Sequence, residues 1–332
     1  MNFSNCNTSL PGTYTSTIAS SFAKTSYDKD CLTLSVTIIL AIFIVVTILG
    51  NGLVCLALYR QPHIRKVTYY PILSLAFADL LCGAIAMPAY IAKKHVVGGW
   101  QEGVVCDIFR FSYFFTEYAS VASLMAISLE RFISIKMPLK HRTFVTYRKM
   151  TAALVVFWFD AAIISVLPFF WQQKDEKEPC RYNPTKEWSI MVILVNVFFP
   201  FLIILCCHVY IVLYALRRRR NKSTNSSARR CEYFQNRDLT CTLSIIVGAF
   251  VFCWGPSSLY YFIKIKCPQC FGPAVVPIFN ATVKLLTFAN SCLNPLIYCG
   301  LNRTFKHVLY QTLSGKSRVQ RTIAPFSETQ GL

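Results

Sequence analysis

The chain has 332 residues, a formal net charge of +19 and an apolar fraction of 54%. The apolar fraction and a positive mean hydropathy argue against a soluble protein and indicate an integral membrane protein. The basic residues are spread over several polar loops, so the charge excess does not indicate a nucleic-acid-binding surface, and nucleic acid is not expected as a partner.

Seven apolar segments are long enough to cross a membrane as helices. In chain order they cover residues 33–59, 69–92, 104–136, 150–171, 188–215, 239–265 and 273–299. The sequence therefore predicts an all-α membrane protein with a seven-helix transmembrane domain over residues 33–299. Residues 1–32 are predicted to form an N-terminal tail, residues 300–313 an amphipathic helix on the inner membrane surface, and residues 314–332 a cytoplasmic tail.

The basic residues cluster in alternate loops, most densely in the run from Arg217 to Arg220. By the positive-inside rule these loops and the C-terminus are cytoplasmic, which places the N-terminus outside a multi-pass protein of the plasma membrane. Two glycosylation sequons, at Asn2 and Asn7, fit an extracellular N-terminal tail. The arginine run is interpreted as a topology signal or as a contact for anionic membrane lipids or a partner protein.

Five or six of the fifteen cysteines are predicted to lie on the extracellular side: Cys6, Cys31, Cys106, Cys180, Cys267 and Cys270. An even number in an oxidising compartment favours disulfides. A bond between Cys106 and Cys180 would tie the third span to the loop before the fifth, and Cys267 with Cys270 would close a small ring. A metal site is the alternative for the last pair, and the pairing of Cys6 and Cys31 stays open.

The segment from Asn290 to Tyr298 places two asparagines, a proline and a tyrosine inside an apolar helix. Such residues are tolerated in a spanning helix only where they face the polar interior of a bundle. The pattern indicates a signalling or transport protein.

The polar positions of all seven spans, taken together, resemble the rhodopsin-like (class A) G-protein-coupled receptors. The matching residues are Gly50-Asn51, Leu75-Ala76-Phe77-Ala78-Asp79, Cys106, Glu130-Arg131-Phe132, Trp158, Pro200, Cys253-Trp254-Gly255-Pro256 and Asn294-Pro295-Leu296-Ile297-Tyr298. The resemblance implies a non-enzymatic cell-surface receptor that binds an extracellular ligand and activates a heterotrimeric G protein. It also implies arrestin and receptor kinases as further partners. A membrane transporter is the rival class, but it would usually show internal repeats, and none is visible.

Asp79 is an acid at membrane depth, which costs on the order of 2.5–3.5 kcal/mol unless it has partners. The candidate partners are Ser120, Asn290 and Asn294. The resemblance implies that these residues hold a sodium ion, which acts as an allosteric modulator and favours the inactive state. The alternative is a protonated, hydrogen-bonded Asp79 without an ion.

The resemblance also implies an activation switch. Its residues are Glu130, Arg131, Phe132, Val121, Pro200, Phe250, Trp254 and Tyr298. Receptors of this family often pair the arginine with an acid on the sixth helix, where this chain has Asn236, so we expect measurable basal activity. His208 stands where the family usually has a tyrosine, and it either substitutes for that tyrosine or packs with its ring bonded to a backbone carbonyl. Leu139 would be an apolar contact for the G protein.

Within the family, the monoamine receptors are the most similar in motif. They bind the ligand ammonium through an aspartate seven residues after the cysteine of the third span, where this chain has Tyr113. Glu117 lies four residues further, on the same helix face. Three interpretations of Glu117 stay open: a counter-ion for an amine ligand, an internal ion pair with Lys284, and a protonated structural residue.

Arg110 and Lys284 support a second ligand class, because they could receive the carboxylate of an anionic, zwitterionic, lipid or peptide ligand. The candidate ligand-binding residues are Arg110, Tyr113, Glu117, Asn196, Trp254, Tyr261, Lys284 and Phe288. Asp160, in the fourth span, has no assigned partner.

Overall fold

The computed structural model describes residues 12–60, 67–95, 99–171, 180, 185–220, 227–272, 275–301, 306 and 310. The side chains of residues 12–29 and 227–241 are not part of this description. Within the described residues the secondary structure consists of helices and turns, as the sequence predicts. The sequons at Asn2 and Asn7, together with Cys6 and the C-terminal tail, lie outside the described residues.

Seven long helices, numbered here 1 to 7, follow one another along the chain. Their bounds are Gly12–Arg60, Tyr69–His95, Gly99–Lys136, Tyr147–Val166, Lys186–Ile193 continued through Leu194–Phe198 and Phe199–Arg220, Ser227–Lys266, and Val276–Leu301. Three short helical pieces connect them: Pro138–Phe144, Pro168–Trp171 and the 3₁₀ turn Pro268–Cys270.

Helices 1 to 6 contain stretches that are long and apolar enough to cross a membrane. Helix 7 has 26 residues, about 39 Å of helix, which also exceeds the roughly 30 Å hydrocarbon core of a bilayer. Its polar residues Thr287, Asn290, Ser291 and Asn294 are buried, so they face neighbouring helices rather than lipid. The seven predicted segments therefore correspond to seven observed helices.

Several helix ends differ from the predicted boundaries. Helix 1 begins at Gly12 instead of residue 33, and helix 6 begins at Ser227 in a segment predicted to be a mobile loop. Apolar runs reveal only the part of a helix that lies in lipid, so polar extensions into water leave no such signal. Helix 4 ends at Val166 rather than at residue 171, because the ring of Pro168 interrupts the helix. Of the predicted amphipathic helix, Gly300 and Leu301 instead form the end of helix 7. In the rest of that segment only Lys306 and Tyr310 are described, and both are helical and exposed.

Helices 2 and 5 each contain one wider, π-helical turn, at Cys82–Ala86 and Leu194–Phe198. Each turn comes just before a proline, Pro88 or Pro200. Proline has no backbone N–H, so the carbonyl four residues earlier loses its usual donor, and a wider turn lets the chain adjust. Such turns are frequent at functional sites. The turn in helix 5 contains Asn196, which is buried.

Helix 3 lies at the centre of the bundle and packs against helices 2, 4 and 5. The indole nitrogen of Trp158 on helix 4 donates to Ser74 Oγ on helix 2 at 2.9 Å, and Ser74 Oγ lies 2.8 Å from Ser123 Oγ on helix 3. Ser123 in turn donates to the backbone carbonyl of Ala119. This chain of hydrogen bonds ties helices 2, 3 and 4 together.

Helices 1 and 7 approach closely at Gly50. A Cβ atom at this position would lie 2.7 Å from Cγ of Pro295, so only glycine fits. One residue further, Asn51 Nδ2 donates to the carbonyl of Ser291 at 3.1 Å. Polar groups thus pair inside the bundle, while large apolar side chains such as Leu49 and Phe252 face outward. This arrangement is expected of a bundle in lipid. Asp160 is exposed on helix 4, and we have no physical account of it.

Both predicted extracellular disulfides are present. Cys106 at the outer end of helix 3 is bonded to Cys180, and Cys267 is bonded to Cys270. The second bond replaces the metal site considered for that pair. Cys31 is exposed and free.

Candidate ligand-binding and switch sites

Glu117 lies on helix 3 among the side chains predicted to form the ligand cavity, and only 3% of its surface is exposed. Its Oε2 accepts a hydrogen bond from the indole nitrogen of Trp254 on helix 6 at 3.0 Å. Its Oε1 has no hydrogen-bond partner among the described residues. A buried carboxylate with one unsatisfied oxygen is costly, and a cationic ligand would satisfy it.

Lys284 on helix 7 belongs to the same predicted set and lies over Tyr113, which is one helical turn from Glu117 on helix 3. Its Nζ lies 3.3 Å from the ring centroid of Tyr113, with the rings of Tyr261 and Phe109 at 5.5 and 5.7 Å. These distances are in the range of cation–π contacts. The described ion pairs do not join Lys284 to Glu117, although the two charges attract each other through space. The direct internal ion pair considered from the sequence is therefore not formed.

Aromatic rings line the wall between helices 2, 3 and 7. The ring of Tyr113 meets that of Phe288 edge-on at 5.7 Å, and its hydroxyl donates to Thr287 Oγ1 at 3.3 Å. Tyr90 packs against Phe109 and Phe288 at 5.1 and 5.7 Å. The sequence analysis did not select Tyr90 or Phe109, because an aromatic residue in a span is ordinarily packing.

Asn196 on helix 5 is 7% exposed, and its Nδ2 has no hydrogen-bond partner in the described part of the chain. It is the second unsatisfied polar group among the predicted ligand-binding residues, a donor where Glu117 offers an acceptor. A ligand with a polar group at its far end would satisfy both.

Arg110 has a different environment from the one predicted. Its Nη1 lies 3.5 Å from Asp107 Oδ1 on the same helix, and its guanidinium lies 5.7 Å from the ring of Phe169 on the short helix that follows helix 4. These contacts place it toward helix 4, so they do not bring it together with Lys284.

Asp79 forms a second buried polar cluster, deeper in the bundle. It is fully buried and accepts a 2.8 Å hydrogen bond from Asn294 Nδ2 and a long one, 3.5 Å, from Ser120 Oγ. Ser291 is a further donor that the sequence analysis did not select. The side-chain oxygens of Asn290 and Asn294 have no described partner. Carboxylate, hydroxyl and amide oxygens are the donor set that a hard cation prefers, so these residues fit a sodium ion.

Glu130 holds several elements together at the side of the bundle that is predicted to be cytoplasmic. Its Oε1 accepts from Thr68 Oγ1 at 2.8 Å and lies 3.0 Å from His141 Nε2, and its Oε2 lies 3.3 Å from Arg131 Nε. The sequence analysis identified Arg131 but not Thr68 or His141, which are distant in sequence or lie in a loop. The side chain of Asn236 is outside the described residues.

The remaining predicted switch residues lie between these clusters. Val121, Phe250 and Tyr298 belong to one buried apolar cluster, against which Trp254 packs with its ring 5.9 Å from that of Phe250. Pro200 is buried on helix 5.

At the side predicted to be cytoplasmic, the ring of Phe132 packs edge-on against Tyr210 at 4.9 Å. His208 Nδ1 lies 3.1 Å from the carbonyl of Ile204, as in the packing interpretation. Leu139 is 93% exposed.

Residues 50–298 match the family described as 7 transmembrane receptor (rhodopsin family). The chain belongs to this family. The prediction of a rhodopsin-like G-protein-coupled receptor with a seven-helix bundle is thereby confirmed, and the transporter alternative is removed.

Several relatives of this rhodopsin-family receptor are amine receptors by name. It is 29% identical to the histamine H2 receptor of Homo sapiens over 299 residues, which cover 87% of this chain and 81% of that receptor. It is 30% identical to the alpha-1A adrenergic receptor of Oryzias latipes and 31% identical to that of Oryctolagus cuniculus, in each case over 83% of this chain and about two thirds of the relative. The predicted similarity to the monoamine receptors is confirmed.

Proposed function

We propose that this receptor has its N-terminus outside the cell and is activated by a small amine, whose ammonium group binds Glu117. The observation that carries the proposal is the hydrogen bond between Glu117 and Trp254, which joins a buried acid in the ligand cavity to a residue of the predicted switch. The similarity to receptors named for histamine and adrenergic ligands supports the amine class.

Glu117 has the properties of an ammonium-binding group. One carboxylate oxygen has no described partner, and burial strengthens any charge-assisted hydrogen bond made to it. The carboxylate lies one helical turn, about 6 Å along the axis, below the position of Tyr113. An amine bound here lies deeper than one bound at position 113, and its body would extend toward Asn196 or the aromatic wall.

The contact with Trp254 gives the bound amine a route to the switch. An ammonium that binds the carboxylate competes with the indole N–H and weakens the Trp254 bond. Trp254 packs on Phe250, and Pro256 two residues later breaks the regular hydrogen bonding of helix 6. Release of the indole therefore favours a change in the bend of helix 6, which opens the cytoplasmic side next to Arg131.

The G protein would bind at this cytoplasmic side. The exposed side chain of Leu139, on the short helix Pro138–Phe144, offers an apolar contact there. Arrestin and receptor kinases are proposed to act on the same face and on the C-terminal tail.

The test is G-protein nucleotide exchange in membranes that contain the wild-type receptor, Glu117→Gln or Glu187→Gln, challenged with a panel of primary amines. Glu187 is an exposed acid in the first turn of helix 5 and serves as the matched control. A hydrogen bond to a charged group contributes about 1.5–3 kcal/mol, so we expect Glu117→Gln to reduce amine potency roughly 10- to 100-fold. Equal potency in Glu117→Gln and Glu187→Gln would overturn the proposal.

A further inference from the structure

The ligand cavity contains two opposite charges that do not neutralise each other by contact. Glu117 is bonded to the indole of Trp254, and Lys284 rests on the ring of Tyr113. Each charged group thus contacts a neutral aromatic residue and not the other charged group. An acid and an amine held apart in one buried cavity form a pair of binding sites for a molecule that carries both charges.

The spacing of the two charges corresponds to a small molecule. Tyr113 and Glu117 lie on the same face of helix 3, one turn or about 6 Å apart along the axis. Lys284 Nζ lies 3.3 Å from the ring centroid of Tyr113, and Glu117 carries its carboxylate one turn deeper on the same helix. A ligand that spans them has its acidic end outward and its ammonium end inward.

The charge balance of the cavity favours such a ligand over a simple amine. Glu117 and Lys284 together carry no net charge when both are ionised. A simple amine would leave one uncompensated positive charge among buried rings, and burial of unpaired charge is costly. A zwitterion leaves the cavity neutral and gives each protein charge an opposite partner.

Two further lysines lie beside the aromatic wall between helices 2, 3 and 7, which agrees with an acidic ligand end that faces outward. Lys93 Nζ lies 5.2 Å from the ring of Phe109, the same ring that Lys284 approaches, and Lys94 Nζ lies 5.6 Å from the ring of Tyr90. Positive charge at an entrance raises the local concentration of anionic groups.

From these observations we infer that the amine ligand is zwitterionic: Lys284 binds its acidic group and Glu117 binds its ammonium, so the ligand class is small amino acids and related acidic amines. This inference rests on the proposed function, because it uses Glu117 as the ammonium site. It adds the acidic group and assigns Lys284 as the residue that selects for it.

The test compares amino acids with the amines that result from their decarboxylation: histidine with histamine, tyrosine with tyramine, and tryptophan with tryptamine. G-protein activation is measured for the wild-type receptor, Lys284→Met, Lys284→Arg and the control Lys264→Met. Lys264 is an exposed lysine at the outer end of helix 6. Surface labelling of each variant verifies that it is folded and exported.

For at least one pair we expect the wild-type receptor to prefer the amino acid by about tenfold or more, the effect of one hydrogen bond between charged groups. Lys284→Met should remove or reverse this preference, whereas Lys284→Arg and Lys264→Met should keep it. An amine that is as potent as its amino acid in the wild type, or a preference that Lys284→Met leaves unchanged, overturns the inference.

Glu117→Gln, included in the same assay, separates the two proposals. If it abolishes the responses while Lys284→Met does not alter the preference, the zwitterion inference fails and the amine receptor stands. If it leaves the responses to both members of a pair unchanged, the amine site itself is wrong. A surface-exposed wild-type receptor that responds to no member of any pair overturns both.

Discussion

The indole nitrogen of Trp254 donates a 3.0 Å hydrogen bond to the carboxylate of Glu117, across the interface of helices 6 and 3. The acid that is proposed to bind the ligand is therefore in direct contact with the residue proposed to report its presence. In the proposed mechanism, no further residue is needed to transmit the effect of ligand binding from Glu117 to Trp254.

Loss of this donor should mimic part of the ligand's effect. Trp254→Phe keeps an aromatic ring against Phe250 but removes the N–H. We expect basal nucleotide exchange to rise roughly two- to tenfold. The rise is limited because only part of the about 1.5–3 kcal/mol of this hydrogen bond contributes to the free-energy difference between the inactive and the active receptor. The control is Trp158→Phe, which removes the bond to Ser74 instead. It should lower surface expression without raising basal activity, and the same rise in both variants would contradict the proposed role of Trp254.

The cluster around Asp79 should make agonist potency depend on sodium. With sodium replaced by an organic cation at constant ionic strength, we expect agonists of the wild-type receptor to become several-fold more potent, because a sodium ion at this cluster is proposed to favour the inactive state. Asp79→Asn removes the charged ligand of the ion and should abolish this dependence, while Ser120→Ala, which loses only a 3.5 Å contact, should weaken it. The same sodium dependence in wild type and Asp79→Asn would show that the residues hold no ion.

The contact between Gly50 and Pro295 predicts a sharp difference between two neighbouring glycines. A Cβ at position 50 would lie 2.7 and 2.8 Å from two atoms of the rigid proline ring, whereas one at Gly52 meets nothing within 4 Å. We expect Gly50→Ala to destabilise the receptor by about 1–3 kcal/mol through overpacking. Gly52→Ala should be neutral or stabilising by up to about 1 kcal/mol, since alanine favours helix. Thermal unfolding of the purified receptor in detergent measures both, and equal midpoints would refute the close approach.

The hydrogen bonds of Glu130 should restrain basal signalling. Thr68→Val and His141→Phe each remove one partner of its Oε1; the first conserves side-chain volume and the second keeps an aromatic ring. We expect each to increase ligand-independent nucleotide exchange, and the double variant to increase it further, because Glu130 then holds Arg131 less firmly. Measurements at matched surface density, with the exposed Thr143→Val on the same short helix as control, check this expectation. Basal activity that does not differ among the variants would mean that the cluster is structural only.

The number and order of the spanning helices could be predicted because each helix needs an apolar surface toward lipid. The polar residues inside the helices could be selected because a polar group buried in a membrane is unfavourable unless other polar groups pair with it. The helical extension before residue 33 and the start of helix 6 at Ser227 could not be predicted, since a helix in water requires no apolar run.

Contacts between distant parts of the chain were less accessible from the sequence. Glu117 and Lys284 were each identified as candidates, but whether they meet depends on helix rotation, and the structure gives each a different partner. Thr68 and His141 carry no sequence signal because a threonine and a histidine near a span end are ordinary residues. Their role follows only from the position of Glu130 between them.

The hydrogen bonds that tie helices 2, 3 and 4 through Trp158, Ser74 and Ser123 have a mechanical consequence. Two of the buried acids, Asp79 and Glu117, lie on these tied helices. Their donors, Asn294 and Trp254, lie on helices 7 and 6, each one or two residues before a proline. Helices 2, 3 and 4 thus form a fixed unit that carries the two carboxylates, whereas helices 6 and 7, each bent at a proline, carry the hydrogen-bond donors. A ligand that binds Glu117 acts where these two groups of helices meet.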